Sequence, residues 1–314
     1  MRTLLTVPRR RSYDRAVRTL APTLALVAVT AIWGYTFVPV QKALEAFPLF
    51  AFLAARFFVS SAVLAPFAWR PLRKTPRGGV VAGLGIGLLL ALAYGLQTAG
   101  LELTTVASTG FITGLYVVFT PLIALAAFGT RVPTAGWIGV GLAVVGLLLL
   151  FGVPDGSIAG NLLVLGNAAA QALQIAAMER FAPRYDPRVL TFLQMLVTFA
   201  AFLLTAAATG QIELPHTAQA WYAIVVTGVF AGALGYLVAA WVQARTTAAR
   251  AALLFTLEAP FAALFGVVLL SEHLGWIGWT GCAVMLAGIV LAEPAAEHAL
   301  RRALRGSSPR APVA

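Results

Sequence analysis

Long apolar runs separated by short polar breaks dominate this chain. Runs at 20–41, 48–69, 78–100, 105–128, 134–152, 158–180, 187–208, 217–241, 247–270 and 273–292 each approach the ~20 residues a helix needs to cross ~30 Å of hydrocarbon. They predict an all-α integral membrane fold with ten transmembrane helices. Helices are the expected form because a backbone in lipid must satisfy its own N–H and C=O groups. The first run lacks a small-residue cleavage site and many more runs follow it, so it is expected to remain as a span rather than to be removed as a signal peptide.

The ten runs divide into two copies of one unit. Pro121 is followed fifteen residues later by Gly136-Trp137-Ile138-Gly139, and Pro260 fifteen residues later by Gly275-Trp276-Ile277-Gly278. Tyr94 stands ten residues before Thr104-Thr105, as Tyr236 does before Thr246-Thr247. The two landmarks are offset by 139 and 142 residues, so the stretch between the Thr pair and the Pro is expected to be three residues shorter in the second copy. The predicted organisation is a basic tail at 1–19, a first five-helix repeat at 20–152, a second at 153–292 and a polar tail at 293–314. Five spans per copy is an odd number, so the second copy enters the membrane from the opposite side. Inverted repeats of this kind recur in secondary transporters, with the solute site near the midplane between the halves.

Composition narrows the function classes. A chain that is 60% hydrophobic and 11% charged, with mean hydropathy +0.89, has too few polar side chains to cover a water-soluble globule. The net charge of +11 does not indicate nucleic acid, because the basic residues sit in short loops between spans. Nineteen fall on one side: six in the N-terminal tail, then Arg70, Arg73, Lys74, Arg77, Arg131, Arg180, Arg184, Arg188 and Arg245, and four in the C-terminal tail. The other side has Lys42 with Glu45, Glu102, Asp155, Glu213 and Glu272. Both termini are therefore expected in the cytoplasm. One Cys and three His point to no disulfide and no metal cluster. No cofactor is expected: Gly83-x-Gly85-x-Gly87 has no strand before it and is no phosphate loop. Twenty Arg against two Lys, with abundant Ala, suits a bacterial inner-membrane protein.

Charges inside hydrocarbon are costly and usually face a cavity or a partner. Arg56 lies about 12 Å below the outer surface and Glu258 about 16 Å from the inner one at the helical rise, depths compatible with contact. They are expected either to face a central cavity, binding a charged or zwitterionic solute or titrating in proton coupling, or to form a structural pair. Arg250 is expected to snorkel to the inner interface, and Lys42 and Glu45 to form a solvated turn. Trp33, Tyr35, Tyr94, Gln97, Tyr116, Gln171, Gln174, Tyr236 and Trp241 combine apolar faces with polar handles, as small-molecule cavities do; Trp241 equally suits an interfacial belt. Gly79, Gly83 and Gly87, and Gly228 with Gly232, permit close helix approach. Pro121 and Pro260 lie mid-span and are candidate hinges or static bends.

Trp33-Gly34, Lys42, Arg56, Glu258-Ala259-Pro260 and Ser271-Glu272-His273-Leu274 make residues 24–292 resemble the EamA-type branch of the drug/metabolite transporter superfamily. The resemblance implies ten helices in two halves. It also implies a cavity lined by the first, third, fourth, sixth, eighth and ninth spans, and movement of small metabolites such as amino acids, frequently as efflux. One departure is that the first copy has Val132-Pro133-Thr134 where the second has Ser271-Glu272-His273. The expected function is a secondary transporter, in the exporting direction, with a small-molecule substrate, a lipid bilayer around a monomer and no nucleic acid. Protons are one candidate coupling ion and facilitated movement is the alternative. A channel-like facilitator or a non-transporting scaffold is the runner-up. An enzyme is not expected, since His216, His273 and His298 lie in loops or the tail and no acid pair falls within a span.

Overall fold

A computed structural model describes residues 10–271 and 273–292, so residues 1–9, Glu272 and the 293–314 tail lie outside the described residues. It is helical throughout: α1 (Arg10–Leu44), α2 (Leu49–Leu72), α3 (Arg77–Leu101), α4 (Val106–Phe128), α5 (Thr134–Phe151), α6 (Ile158–Phe181), α7 (Pro187–Ala208), α8 (Ala218–Gln243), α9 (Ala248–Leu270) and α10 (Trp276–Ala292). Nine of these are 18 or more residues long and apolar enough to cross a membrane, and α10 has 17 residues. Each corresponds to one expected run. The exception in extent is α1, which continues back to Arg10 because no Gly or Pro interrupts residues 10–21. No span has more than 61% of its most apolar window buried inside the protein. Side chains such as Val81, Leu88, Leu204 and Val290 point outward, the pattern of helices bathed in lipid. The chain is a multi-pass membrane protein.

Local chemistry explains the boundaries. The repeated Thr pairs are helix starts: Thr105 accepts from the Ser108 amide (3.1 Å) at the head of α4, and Thr247 from the Arg250 amide (3.4 Å) at the head of α9, each satisfying an otherwise orphaned donor. Ser157, Asp186 and Thr217 do the same for α6, α7 and α8. Gly129 ends α4 in the left-handed conformation (φ 69°), and Ser271 does so after α9 (φ 57°). The stretch between Thr pair and Pro is three residues shorter in the second copy, yet α4 and α9 are both 23 residues long, because Pro260 sits about one turn earlier in its helix than Pro121 does.

Packing runs mainly between the halves. α2 lies on α7 and α8, α3 on α6 and α7, α1 on α8 and α9, α4 on α6, and α5 on α10. Exchanging α1–α5 for α6–α10 carries this set of pairs onto itself, as a pseudo-two-fold axis requires. Both main apolar cores draw on both halves. One joins α1, α4, α5, α6, α8 and α9; the other joins α1, α2, α3, α7 and α8; Trp33 packs against each. Glycines set the closest approaches. A β-carbon on Gly281 would stand 2.6 Å from the Gly146 carbonyl oxygen, and one on Gly146 would stand 2.7 Å from that of Gly281. The glycines singled out on α3 and α8 act equivalently: Gly87 packs on Gln194 and Val197 of α7, and Gly228 on Arg56 and Val59 of α2.

The two repeats are joined at 152–157 by a polar knot. The Asp155 carboxylate accepts from the Thr105 hydroxyl (2.6 Å) and the Ser108 hydroxyl (2.9 Å), while its amide donates back to Ser108 Oγ (2.8 Å). Asn161 and Thr104 bind the Asp155 carbonyl. Hydrogen bonds from Thr105 and then Ser108 hold the Asp155 carboxyl below the usual carboxylate range. A depressed folded pKa means the stabilisation is present above the unfolded value of about 3.9 and is lost as pH falls through the lower folded value. Asp155→Asn should therefore lower the thermal midpoint at neutral pH and shrink the gap to wild type on acidification toward pH about 3, measured by unfolding of the detergent-solubilised protein. A gap that stays constant with pH would refute this role.

Candidate functional site at the junction of the repeats

α4 and α9 are both interrupted at their tenth residue. α4 breaks at Leu115, between Val106–Gly114 and Tyr116–Phe128; α9 breaks at Thr256–Leu257, between Ala248–Phe255 and Glu258–Leu270. In α9, Pro260 is the cause: it has no N–H, and its ring crowds the carbonyl four residues earlier. Leu257 and Ala259 accordingly take tighter bonds, to the Leu254 and Thr256 carbonyls (3.1 and 3.2 Å). In α4 the break precedes Pro121 by six residues. There Gly110 and Gly114, weak helix formers, flank the turn in which Leu115 bonds back to Ile112 (3.1 Å).

Tyr116 and Glu258 are the first residues beyond these breaks, so they occupy equivalent places in the two repeats. They lie within electrostatic reach of each other. Tyr94 and Tyr236, equivalent on α3 and α8, interact with each other as well. Two pairs of equivalent positions thus converge from opposite repeats. Arg56 of α2 completes the group. It is buried (8% exposed), lies 5.1 Å from the Phe57 ring centroid and 5.7 Å from that of Tyr94, and acts electrostatically on Glu258 and Tyr236. Among the described residues Arg56 and Glu258 form no direct ion pair, and Arg56 Nε has no hydrogen-bond partner. Glu258, although enclosed by protein, keeps accessible surface, as a group lining an internal space does.

The other expected residues fall around this centre. Trp33 stacks at 5.2 Å on Tyr236 and 5.3 Å on Phe255, and its Nε1 donates to the Ala231 carbonyl (3.0 Å). That carbonyl belongs to a π-helical stretch of α8, Val226–Gly235, the kind of loosened turn found at functional sites. Gln97 donates to the Thr113 hydroxyl (3.2 Å), which Asn167 also reaches (2.9 Å). Gln174 donates to Gln194 (3.0 Å), and Gln171 lies half-buried between Asn167 and Gln174 along α6. Tyr35 stands apart, sharing a 2.7 Å hydrogen bond with the exposed Tyr222. Trp241 is 39% exposed beneath Arg245, at the rim rather than in the group. Arg250 is half-buried, and its guanidinium donates to Thr23 of α1 (2.9 Å).

Three residues of this network were missed in the sequence: Thr113, Asn167 and Gln194. Asn167 was findable, standing four residues before Gln171 on the same helical face. Gln194 was findable too, as the eighth residue of α7 where Arg56 is the eighth of α2. It is fully buried and its Nε2 lacks a partner.

Comparison with known proteins agrees with this architecture. The EamA-like transporter family matches twice, at residues 20–152 and 158–292. The chain belongs to that family. A protein of Archaeoglobus fulgidus named as an uncharacterized transporter is 32% identical over 281 residues, covering 88% of this chain and 86% of its own. The uncharacterized transporter YcxC of Bacillus subtilis is 26% identical over 287 residues, covering 85% and 91%. A solved crystal structure superposes with a TM-score of 0.78 over 88% of this chain and 98% of its own at 20% identity, a likeness of fold. The EamA-like protein described here is thus a membrane transporter by family.

If Arg56 and Glu258 are energetically linked across the repeats, their removal should be non-additive. We expect Arg56→Met and Glu258→Gln each to lower stability, and the double variant to lose about 0.5–3 kcal/mol less than the sum, measured by unfolding in detergent. Strict additivity would show that the two do not interact.

Proposed function

We propose that this protein is a secondary transporter that exports small metabolites, amino acids or related compounds, across a bacterial inner membrane. The observation that carries the reading is the convergence of Arg56, Tyr94, Tyr116, Tyr236 and Glu258 from both repeats beside two interrupted helices. A cation, a carboxylate and aromatic faces at one place suit a zwitterionic solute. The carboxylate meets the amine, the guanidinium meets the acid, and the rings of Tyr94, Tyr236 and Trp33 cover the apolar part. The breaks at Leu115 and Thr256–Leu257 are the places where each half-helix is able to tilt. Tilting them in alternation would open the space first to one side and then to the other. Pro260 acts as a hinge in this scheme and Pro121 bends the neighbouring turn.

Termini in the cytoplasm, a monomeric state and protons as coupling ion belong to the same proposal. Glu258 is the group that would carry the proton, since a carboxylate in this setting must trade its charge against Arg56 and the solute. In proteoliposomes loaded with a panel of labelled amino acids and related metabolites, we expect saturable flux with counterflow. The rate should vary with pH, and Glu258→Gln should abolish that pH dependence. Flux that does not saturate and lacks counterflow would indicate a channel. A pH profile unchanged in Glu258→Gln would remove the proton-coupling role.

A further inference from the structure

On the face where the α2/α3 and α6/α7 connections meet, Arg70, Lys74, Arg184, Tyr185, Asp186 and Arg188 line a hollow of about 480 Å³. Its charge is unbalanced. Asp186 is engaged by Arg188 through side-chain bonds of 2.6, 3.0 and 3.2 Å, besides capping α7 through the Arg188 amide. That contact holds the Asp186 carboxyl below its ordinary range. Arg70, Lys74 and Arg184 have no ion pair among the described residues, so three cations converge on the hollow, whose one carboxylate is already engaged.

The fold does not demand this. On the opposite face, the equivalent junction of the α7/α8 connection (209–217) with the α1/α2 turn (45–48) contains Glu45, Phe47, Gln211, Glu213 and His216, and its one nearby Lys or Arg in sequence is Lys42 in the last turn of α1. There the link is neutral, the Phe50 amide donating to Gln211 Oε1 (3.1 Å). The basic hollow is therefore a feature of one face alone. Its depth is marked by aromatic residues. Trp69, 58% exposed, carries the Arg73 guanidinium 4.8 Å from its ring centroid, and Tyr185 stacks on Phe181 at the rim. An exposed Trp settles at the level of lipid headgroups.

We propose that this hollow binds a phosphate-bearing anion, and that its source is the headgroup of an anionic phospholipid such as phosphatidylglycerol. Arg70 and Arg184 offer paired N–H donors to phosphate oxygens and Lys74 a point charge. The acyl chains would leave along the lipid-facing surface of α2. Soluble phosphate is the other source of the same chemistry, and the exposed Trp69 favours the lipid. The site is separate from the group around Glu258 and does not depend on the transport reading.

The test uses the full chain in detergent, titrated with phosphatidylglycerol, phosphatidylcholine or inorganic phosphate, with binding followed by intact-complex mass spectrometry. Phosphatidylglycerol should bind in preference to phosphatidylcholine. Arg70→Gln, Lys74→Gln and Arg184→Gln should weaken it by about fivefold per charge removed, while the control Arg131→Gln/Arg245→Gln leaves affinity unchanged. Photoactivatable phosphatidylglycerol added to the wild-type protein should label peptides of the α2/α3 and α6/α7 connections, a readout independent of whether the variants fold. Wild-type affinity in the triple variant, equal weakening in the control, or labelling elsewhere overturns the site. Inorganic phosphate competing as strongly as the lipid overturns the headgroup assignment and gives the hollow to soluble phosphate.

Discussion

The structure depends on one constraint: in a chain that is 60% hydrophobic, a polar group at membrane depth must find its partner within the protein, because lipid offers none. Gln97, Asn167, Gln174, Gln194 and Trp33 all meet it across helix boundaries. Two of these four contacts join different repeats: Asn167 reaches Thr113, and Trp33 reaches Ala231. Polar satisfaction and close glycine packing therefore act on the same interfaces, and the two five-helix units interlock instead of standing side by side.

A pseudo-two-fold arrangement has a chemical consequence. Residues on the axis meet their own counterparts, so a duplicated sequence creates like pairs there unless one copy diverges. Tyr94 facing Tyr236 is the undiverged case. Tyr116 facing Glu258 is the diverged one, and Arg56 opposite the rank of Gln194 is another. Divergence at these places converts a symmetric aromatic and amide lining into one with a cation and a carboxylate. Asymmetry also separates the two faces of the molecule, where the basic hollow at Arg70, Lys74 and Arg184 has a counterpart near Phe47 and Gln211 that carries Glu45 and Glu213 instead of clustered arginines.

Much of this was legible in the sequence, and the misses have physical reasons. Span count and the repeat follow from hydropathy and from landmarks such as the two Gly-Trp-Ile-Gly segments, since bilayer thickness imposes helix length. The Thr pairs were visible as landmarks, but their role as caps needed the backbone. Periodicity cannot say where a helix is interrupted: Pro121 marked the right helix, yet the break lies at Leu115, where glycines weaken the turn. Depth along two spans brought Arg56 and Glu258 to a similar level without fixing the distance between them, and the structure leaves them coupled rather than bonded. Gln194 stands at the same rank in its span as Arg56 and could have been found from that, and the matching glycine contacts of Gly87 and Gly228 bear the equivalence out.

The central claim is that equivalent positions of the two repeats face each other across the axis. The most direct measurement is cross-linking in native membranes, in a background where Cys282 is replaced by Ser. The account predicts that Tyr94→Cys/Tyr236→Cys and Tyr116→Cys/Glu258→Cys are each bridged within one chain by a short bifunctional thiol reagent, detected by mass spectrometry of the joined peptides. Absence of both cross-links, in protein shown to be folded and reactive at each single cysteine, would contradict it.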